Sequence, residues 1–174
     1  MTPALVLTAQ AAELSRAARA WMAQDPDQVT CAELAVLLTR HEAGEPQATA
    51  ALEEAFSGSL RFGTAGLRGR LGAGPHRMNR VTVIRAAAGL CAYLRQTLGD
   101  GFTVVIGYDA RHNSAQFARD TAAVVTGAGG RALLFDGHCP TPVLAFAVRR
   151  LKADAGVMVT ASHNPPQDNG YKVY

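Results

Sequence analysis

Apolar positions in the first third of the chain recur near the helical period. "AQAAELSRAARAWMAQ" (9–24) is alanine-rich, with apolar side chains spaced for one helix face. "TCAELAVLLTRHE" (30–42) opens with Thr30 and Glu33 at capping-box spacing, which predicts a second helix with His41 on its solvated end. "EPQATAALEEAF" (45–56) predicts a third, shorter one. Residue types that do chemistry are sparse here, and residues 1–58 read as an N-terminal helical extension.

From Leu60 the pattern changes. "LRFGTAGLRGRLGAGPHRMN" (60–79) holds five glycines and four arginines. Asn79 is placed to cap a helix through "RVTVIRAAAGLCAYLRQTL". Phe102–Gly107 is a short apolar run that predicts a strand, followed by the polar loop "YDARHNS". Ser114 is placed to cap the helix "AQFARDTAAVVTGAG", and "RALLFD" predicts the next strand. "CPTPVLAFAVRRLK" carries Thr141 as a cap and Pro142 at the first helical position. "AGVMVT" predicts a buried strand, and "ASHNPPQDNG" is the loop after it, with a further strand beginning at the end of the sequence. Strands alternating with helices of ten or more residues predict an α/β sheet covered by helices over residues 59–174. In such sheets functional loops leave the carboxyl ends of strands, as both polar loops do. There is no internal repeat and no low-complexity segment.

Composition narrows the function class. Hydrophobic residues make 48% and charged residues 18% of the 174 residues, which fits a globular protein. The net charge is +3, and 15 of the 17 basic residues are arginines, the lysines being Lys152 and Lys172. The arginines are spread out, which argues against a nucleic-acid partner. Their forks suit phosphate ligands, although a coding preference for arginine and alanine is the plainer account of their number. Cys31, Cys91 and Cys139 are odd in number, widely spaced and without a CxxC pair, which argues against a disulfide framework and against zinc. The N-terminus lacks a basic region before its short apolar stretch, and no apolar run has membrane-spanning length. The expectation is a cytoplasmic protein with no membrane partner.

Ser162 follows a buried-looking strand, which exposes a hydroxyl on rigid backbone. Pro165 and Pro166 stiffen the loop, Gly170 permits close backbone approach, and Lys172 lies where the next strand returns. A serine needs an activator or a very good acceptor to act as a nucleophile. A plain turn with Ser162 as a turn residue explains the composition equally well. A serine hydrolase is disfavoured, since T-A-S-H-N lacks the G-x-S-x-G elbow and no helix follows. "FGTAGLRGR" matches neither nucleotide-binding glycine pattern. Its glycines with Thr64 can form a nest of backbone N–H groups approached by Arg61 and Arg68, or simply a tight turn. "GAGPHR" is a weaker signal, with His76 expected on the surface.

Taken together, the segments resemble one family. "TASHNPPQDNGYK" resembles the phosphoserine loop of the α-D-phosphohexomutases, the group that includes phosphoglucomutase and phosphomannomutase. "FGTAGLRG", "GYDARHNS" and "CPTPVLAFAV" resemble further segments of that family, in its order, from Leu60 to Tyr174. "RFGTAGLRG" and the helical extension look closest to the phosphoglucomutase/phosphopentomutase branch. The resemblance implies a three-layer α/β/α sandwich with a mixed sheet. It implies a phosphorylated Ser162 that exchanges its phosphoryl group with a sugar phosphate through a bisphosphate, the bisphosphate also serving as activator. His163 and Lys172 match catalytic positions, with roles in proton transfer and phosphate contact. Arg68, Thr64 and Asn164 match substrate- or phosphate-binding and loop-shaping positions. The phosphate on Ser162 would be one ligand of Mg²⁺.

The sequence departs from the family in having no D-G-D-x-D metal loop; "FDG" at 135–137 is not one. The segments of the other three family domains are also missing. The chain is therefore expected to be the N-terminal part of a longer mutase, with its first domain cut near the last strand and no turnover alone. A non-catalytic module binding sugar phosphate is the alternative. The sugar and the oligomeric state are not legible.

Overall fold

The computed structural model describes residues 9–174. Three helices come first: α1 (Ala9–Met22), α2 (Gln28–Glu42) and α3 (Pro46–Ala55). Helix α2 starts three residues earlier than the Thr30–Glu33 spacing suggests. Asp27 is the cap, accepting from the Val29 amide, and Thr30 sits inside the first turn with its hydroxyl on Asp25. His41 is not solvated but 2% exposed. Its Nδ1 lies 2.7 Å from the Thr49 hydroxyl and its Nε2 3.2 Å from the Ala11 carbonyl. A carbonyl only accepts, so Nε2 carries the hydrogen. The apolar stripes of the three helices enclose Ala18, Trp21, Leu34, Leu38 and Leu52, together with Ala73 and Val81 from the following part of the chain. Phe56 meets Trp21 edge-on, and Arg85 lies over the indole.

Five strands and three helices follow: β1 (Leu67–Arg70), α4 (Arg80–Leu98), β2 (Thr103–Tyr108), α5 (Ser114–Gly127), β3 (Arg131–Leu134), α6 (Thr141–Arg150), β4 (Ala155–Val159) and β5 (Asp168–Val173). The sheet order is β1-β5-β4-β2-β3. Strand β2 runs parallel to β3 and β4, and β5 runs antiparallel to β4 and β1, so the sheet is mixed. Val104, Ile106, Val157, Val159 and Tyr171 face α4 and α5 on one side, while Val105 and Met158 face Leu144 and Ala147 of α6 on the other. The alternation of β2 thus feeds two cores, and the result is the expected three-layer α/β/α sandwich with the N-terminal helices attached. Strand β5 is paired on both sides, and Tyr174 exchanges two backbone hydrogen bonds with Gly156.

Asn79 caps α4 as its position suggests, accepting from the Thr82 amide at 2.9 Å. Its side-chain amide also donates to the carbonyls of Gly72 and Gly74, which ties the helix start to the glycine-rich stretch. Two other expected caps are displaced. Asn113, in left-handed backbone at φ 64°, precedes α5, and Ser114 is its first residue. Pro140 precedes α6, so Thr141 is the first helical residue and Pro142 the second. His76 is half-buried, with Nδ1 2.9 Å from the Ser57 hydroxyl. The three cysteines are free, and burial pushes their thiol pKa values up.

Candidate functional site

The register of β2 against β4 pairs Tyr108 with Val159, so both strands end at one edge of the sheet. The loops after them meet there, and the Asp109 amide donates to the Val159 carbonyl at 3.1 Å. Parallel pairing forces this juxtaposition of "YDARHNS" and "ASHNPPQDNG", since parallel neighbours finish on the same side.

Ser162 is half-buried and sits in left-handed backbone at φ 59°. For a residue other than glycine this conformation costs about 1–3 kcal/mol and persists only where its surroundings impose it. They do so from both sides. The Ser162 amide donates to the Thr160 hydroxyl at 2.9 Å. The Ser162 carbonyl accepts from Arg111 Nη2 at 3.0 Å. Arg111 also donates to the carbonyls of Asn164, Pro165 and Asp168, at 2.7, 2.8 and 2.9 Å. Its Nε faces the Asp109 carboxylate at 3.4 Å. Asp109 accepts in addition from the Arg111 amide and from the Ser114 hydroxyl. Ser114, fully buried, accepts from the side-chain amide of Asn169, which also donates to the His112 carbonyl.

A second group flanks the loop on the β1–β5 side. Thr64 and Ala65 form the tip of a turn closed by two backbone hydrogen bonds between Gly63 and Gly66. Gly66, at φ +87°, presses against β5, where an added Cβ would stand 2.6 Å from the Tyr171 carbonyl oxygen. Only glycine fits both demands. The turn shares an open groove of about 290 Å³ with Phe62, Arg68 of β1 and Lys172 of β5. Arg68 donates to the Ala65 carbonyl, and at 3.3 Å to Asn164 Oδ1, which joins this groove to the serine loop. Asn164 Nδ2 donates onward to Asp168 at 2.9 Å. Burial, and then the neighbouring charge of Arg68, lower the Lys172 pKa below the usual amine value.

The structure therefore brings Thr64, Arg68 and Lys172 together and links them to Ser162 through Asn164. His163 is exposed on the loop and makes no hydrogen bond among the described residues. Arg61 is exposed and does not line the groove. Arg111, Asp109, Ser114 and Asn169 hold the loop, a role that the family resemblance of "GYDARHNS" and the cap expected at Ser114 do not specify. The one local signal for them is an Asp-x-Arg pattern directly after a buried strand. Asp109 and Asp168 are committed to partners, and among the described residues no three His, Cys, Asp or Glu side chains gather to hold a metal ion. The described side chains thus do not by themselves fit a complete Mg²⁺ site. What the arrangement offers is cationic and backbone-rigid: a strained serine on a loop that Asn164 ties to a groove with two positive side chains, suited to phosphate. No helix among the described residues is long and apolar enough to cross a membrane.

Comparison with known proteins agrees with this geometry. The sequence model described as "Phosphoglucomutase/phosphomannomutase, alpha/beta/alpha domain I" matches residues 59–174. A phosphoribomutase of Saccharomyces cerevisiae is 43% identical over 157 residues, covering 88% of this chain and 24% of the yeast protein. A phosphoglucomutase of Staphylococcus haemolyticus is 46% identical over 130 residues, covering 75% of this chain and 24% of that protein. The crystal structure of a Thermus thermophilus protein assigned as a phosphomannomutase superposes with a TM-score of 0.61 at 40% identity, over 67% of this chain and 25% of that one. The chain spans about a quarter of the length of the curated relatives it matches.

Proposed function

Because the chain belongs to the phosphoglucomutase/phosphomannomutase family, we propose that it is the phosphoserine-bearing part of a phosphosugar mutase, with Ser162 as the phosphoryl carrier. The observation that carries this reading is the left-handed Ser162, fixed at the carboxyl end of β4 by Thr160 on one side and Arg111 on the other. A serine held this way presents its oxygen without further ordering, and phosphoryl transfer depends mainly on such positioning and on neutralising charge.

In the proposed reaction the bond between phosphorus and Ser162 Oγ breaks as phosphorus bonds a sugar hydroxyl. The hydroxyl proton passes to a base, and the bisphosphate returns its other phosphoryl group to Ser162. Arg68 and Lys172 supply positive charge beside the transferred group, and Thr64 lines the same groove. Asn164 keeps the loop aligned with Arg68. His163, exposed and unengaged, is available for proton transfer. Mg²⁺, when bound, supplies charge neutralisation, and this chain contributes to it through the phosphate on Ser162.

The substrate class is a hexose or pentose 1-phosphate with its 6- or 5-phosphate isomer, and a sugar bisphosphate is the activator. Residues 1–58 are assigned to an N-terminal extension, helical among its described residues, and 59–174 to the catalytic-serine domain. Without a carboxylate cluster for the metal, the 174 residues alone are proposed not to turn over. The cytoplasm is the proposed location.

Peptide mapping of the protein isolated from its own cells tests the assignment. Phosphate on the peptide containing Ser162 is expected; phosphate confined to other residues would refute it.

A further inference from the structure

We propose that Arg111 is the positioning residue of the serine loop: it sets the backbone at Ser162 and binds no phosphate itself, an inference that rests on Ser162 being the phosphoryl carrier. A guanidinium has five N–H donors in a rigid fork. In Arg111, Nη1 donates to the carbonyls of Pro165 and Asp168, and Nη2 to those of Ser162 and Asn164. The fifth donor, on Nε, faces Asp109. The side chain is 16% exposed, with four donors taken by loop carbonyls and the fifth turned to a carboxylate.

The acceptors span residues 162–168, the whole body of the loop. Within that span the backbone makes few bonds of its own. The Asn164 amide donates to Ala161 and the Asp168 amide to Pro165, while Pro165 and Pro166 have no N–H to give. One fork therefore gathers four loop carbonyls, of which the loop's own amides reach that of Pro165, and it does so where Ser162 must stay left-handed. Asp109 orients the fork, and it is held in turn by the Ser114 hydroxyl and the Arg111 amide.

Lysine would keep the charge but has three donors on a single nitrogen and cannot span four carbonyls. Arg111→Lys thus separates geometry from charge, with Arg111→Ala beside it. The first measurement is amide hydrogen exchange of the unphosphorylated protein. Losing charge-assisted bonds should speed exchange at Ser162, Asn164 and Asp168 by about tenfold, with β2 and β4 unchanged. The second is the rate of phosphoryl transfer to Ser162 from glucose 1,6-bisphosphate, in the whole mutase of which the chain is proposed to be part. It should fall about a hundredfold in both variants, the cost of a misplaced reacting group. The bisphosphate concentration at half-maximal rate should stay within about threefold.

Unchanged exchange and rate in Arg111→Lys would overturn the proposal. So would an unchanged maximal rate with a much higher half-saturation, which marks a phosphate ligand. Loss of the whole fold in both variants would also overturn it, by making Arg111 a general structural residue. If the unaltered protein takes no phosphate at Ser162, the proposed function fails, while the exchange measurement still decides whether Arg111 holds the loop.

Discussion

Thr160 and Gly170 close the neck of the serine loop. The Thr160 amide donates to the Gly170 carbonyl at 3.0 Å, and a Cβ on Gly170 would stand 2.7 Å from the Thr160 carbonyl oxygen. The Leu67 carbonyl oxygen would be 2.8 Å away on the other side. Backbone of β4, β5 and β1 is thus drawn together beneath the loop, closer than any side chain allows.

Gly170→Ala is expected to destabilise the protein by about 1–3 kcal/mol, the usual penalty of overpacking a site that cannot give way. Urea unfolding checks this. An unchanged midpoint would mean that the neck is looser than the structure shows.

Ser114→Ala is expected to cost about 1–3 kcal/mol, because it removes the hydroxyl between Asp109 and Asn169 in a fully buried place. In the whole mutase of which the chain is proposed to be part, it should also slow phosphoryl transfer to Ser162, since Asp109 orients Arg111. Substitution of a simple helix cap would lower stability and leave transfer intact. Urea unfolding and the transfer rate, measured on one preparation, distinguish the two.

The contrast between the two roles of Ser114 shows what the sequence can and cannot reveal. Apolar runs at 102–107 and 155–159 and helical spacing at 80–98 report their elements because burial decides them locally. Asn79 reports its cap for the same reason. Strand β1, with two arginines and a glycine in four residues, has no strand pattern and exists through its pairing with β5. His41 reads as a solvated helix end until α1 and α3 close over it. Ser162, Arg68, Thr64, Asn164 and Lys172 are legible as candidates through their loop chemistry and family resemblance. Arg111 is legible as part of "GYDARHNS", but its role is not, because its four acceptors lie 51 to 57 residues away in sequence. No local rule predicts which carbonyls an arginine will gather.

Lys172 makes a pH-dependent contribution of a defined sign. Its folded-state pKa is below the usual 10.5, through burial first and Arg68 second. Between the lowered value and 10.5 the unfolded chain binds more protons, so stability rises with pH across that window. Below the window the charged amine disfavours folding. Lys172→Gln should therefore melt no lower than the unaltered protein at neutral pH and should show a flatter pH dependence as pH approaches 10.5 from below. Thermal unfolding across alkaline pH checks this, and an identical slope in both proteins would contradict it.

The groove of Thr64, Arg68 and Lys172 should bind inorganic phosphate. A ligand at about a hundred times its dissociation constant stabilises the folded state by about 2.7 kcal/mol. Phosphate should thus raise the melting temperature of the unaltered protein, and Arg68→Ala should abolish most of that rise. An equal rise in Arg68→Ala would place the anion elsewhere.

Whether Ser162 carries the phosphoryl group is decided by transfer from labelled glucose 1,6-bisphosphate, followed residue by residue in the whole mutase of which the chain is proposed to be part and in its Ser162→Ala variant. Label on Ser162 is expected in the first and none on the protein in the second. Label retained by Ser162→Ala at the unaltered rate would refute the assignment.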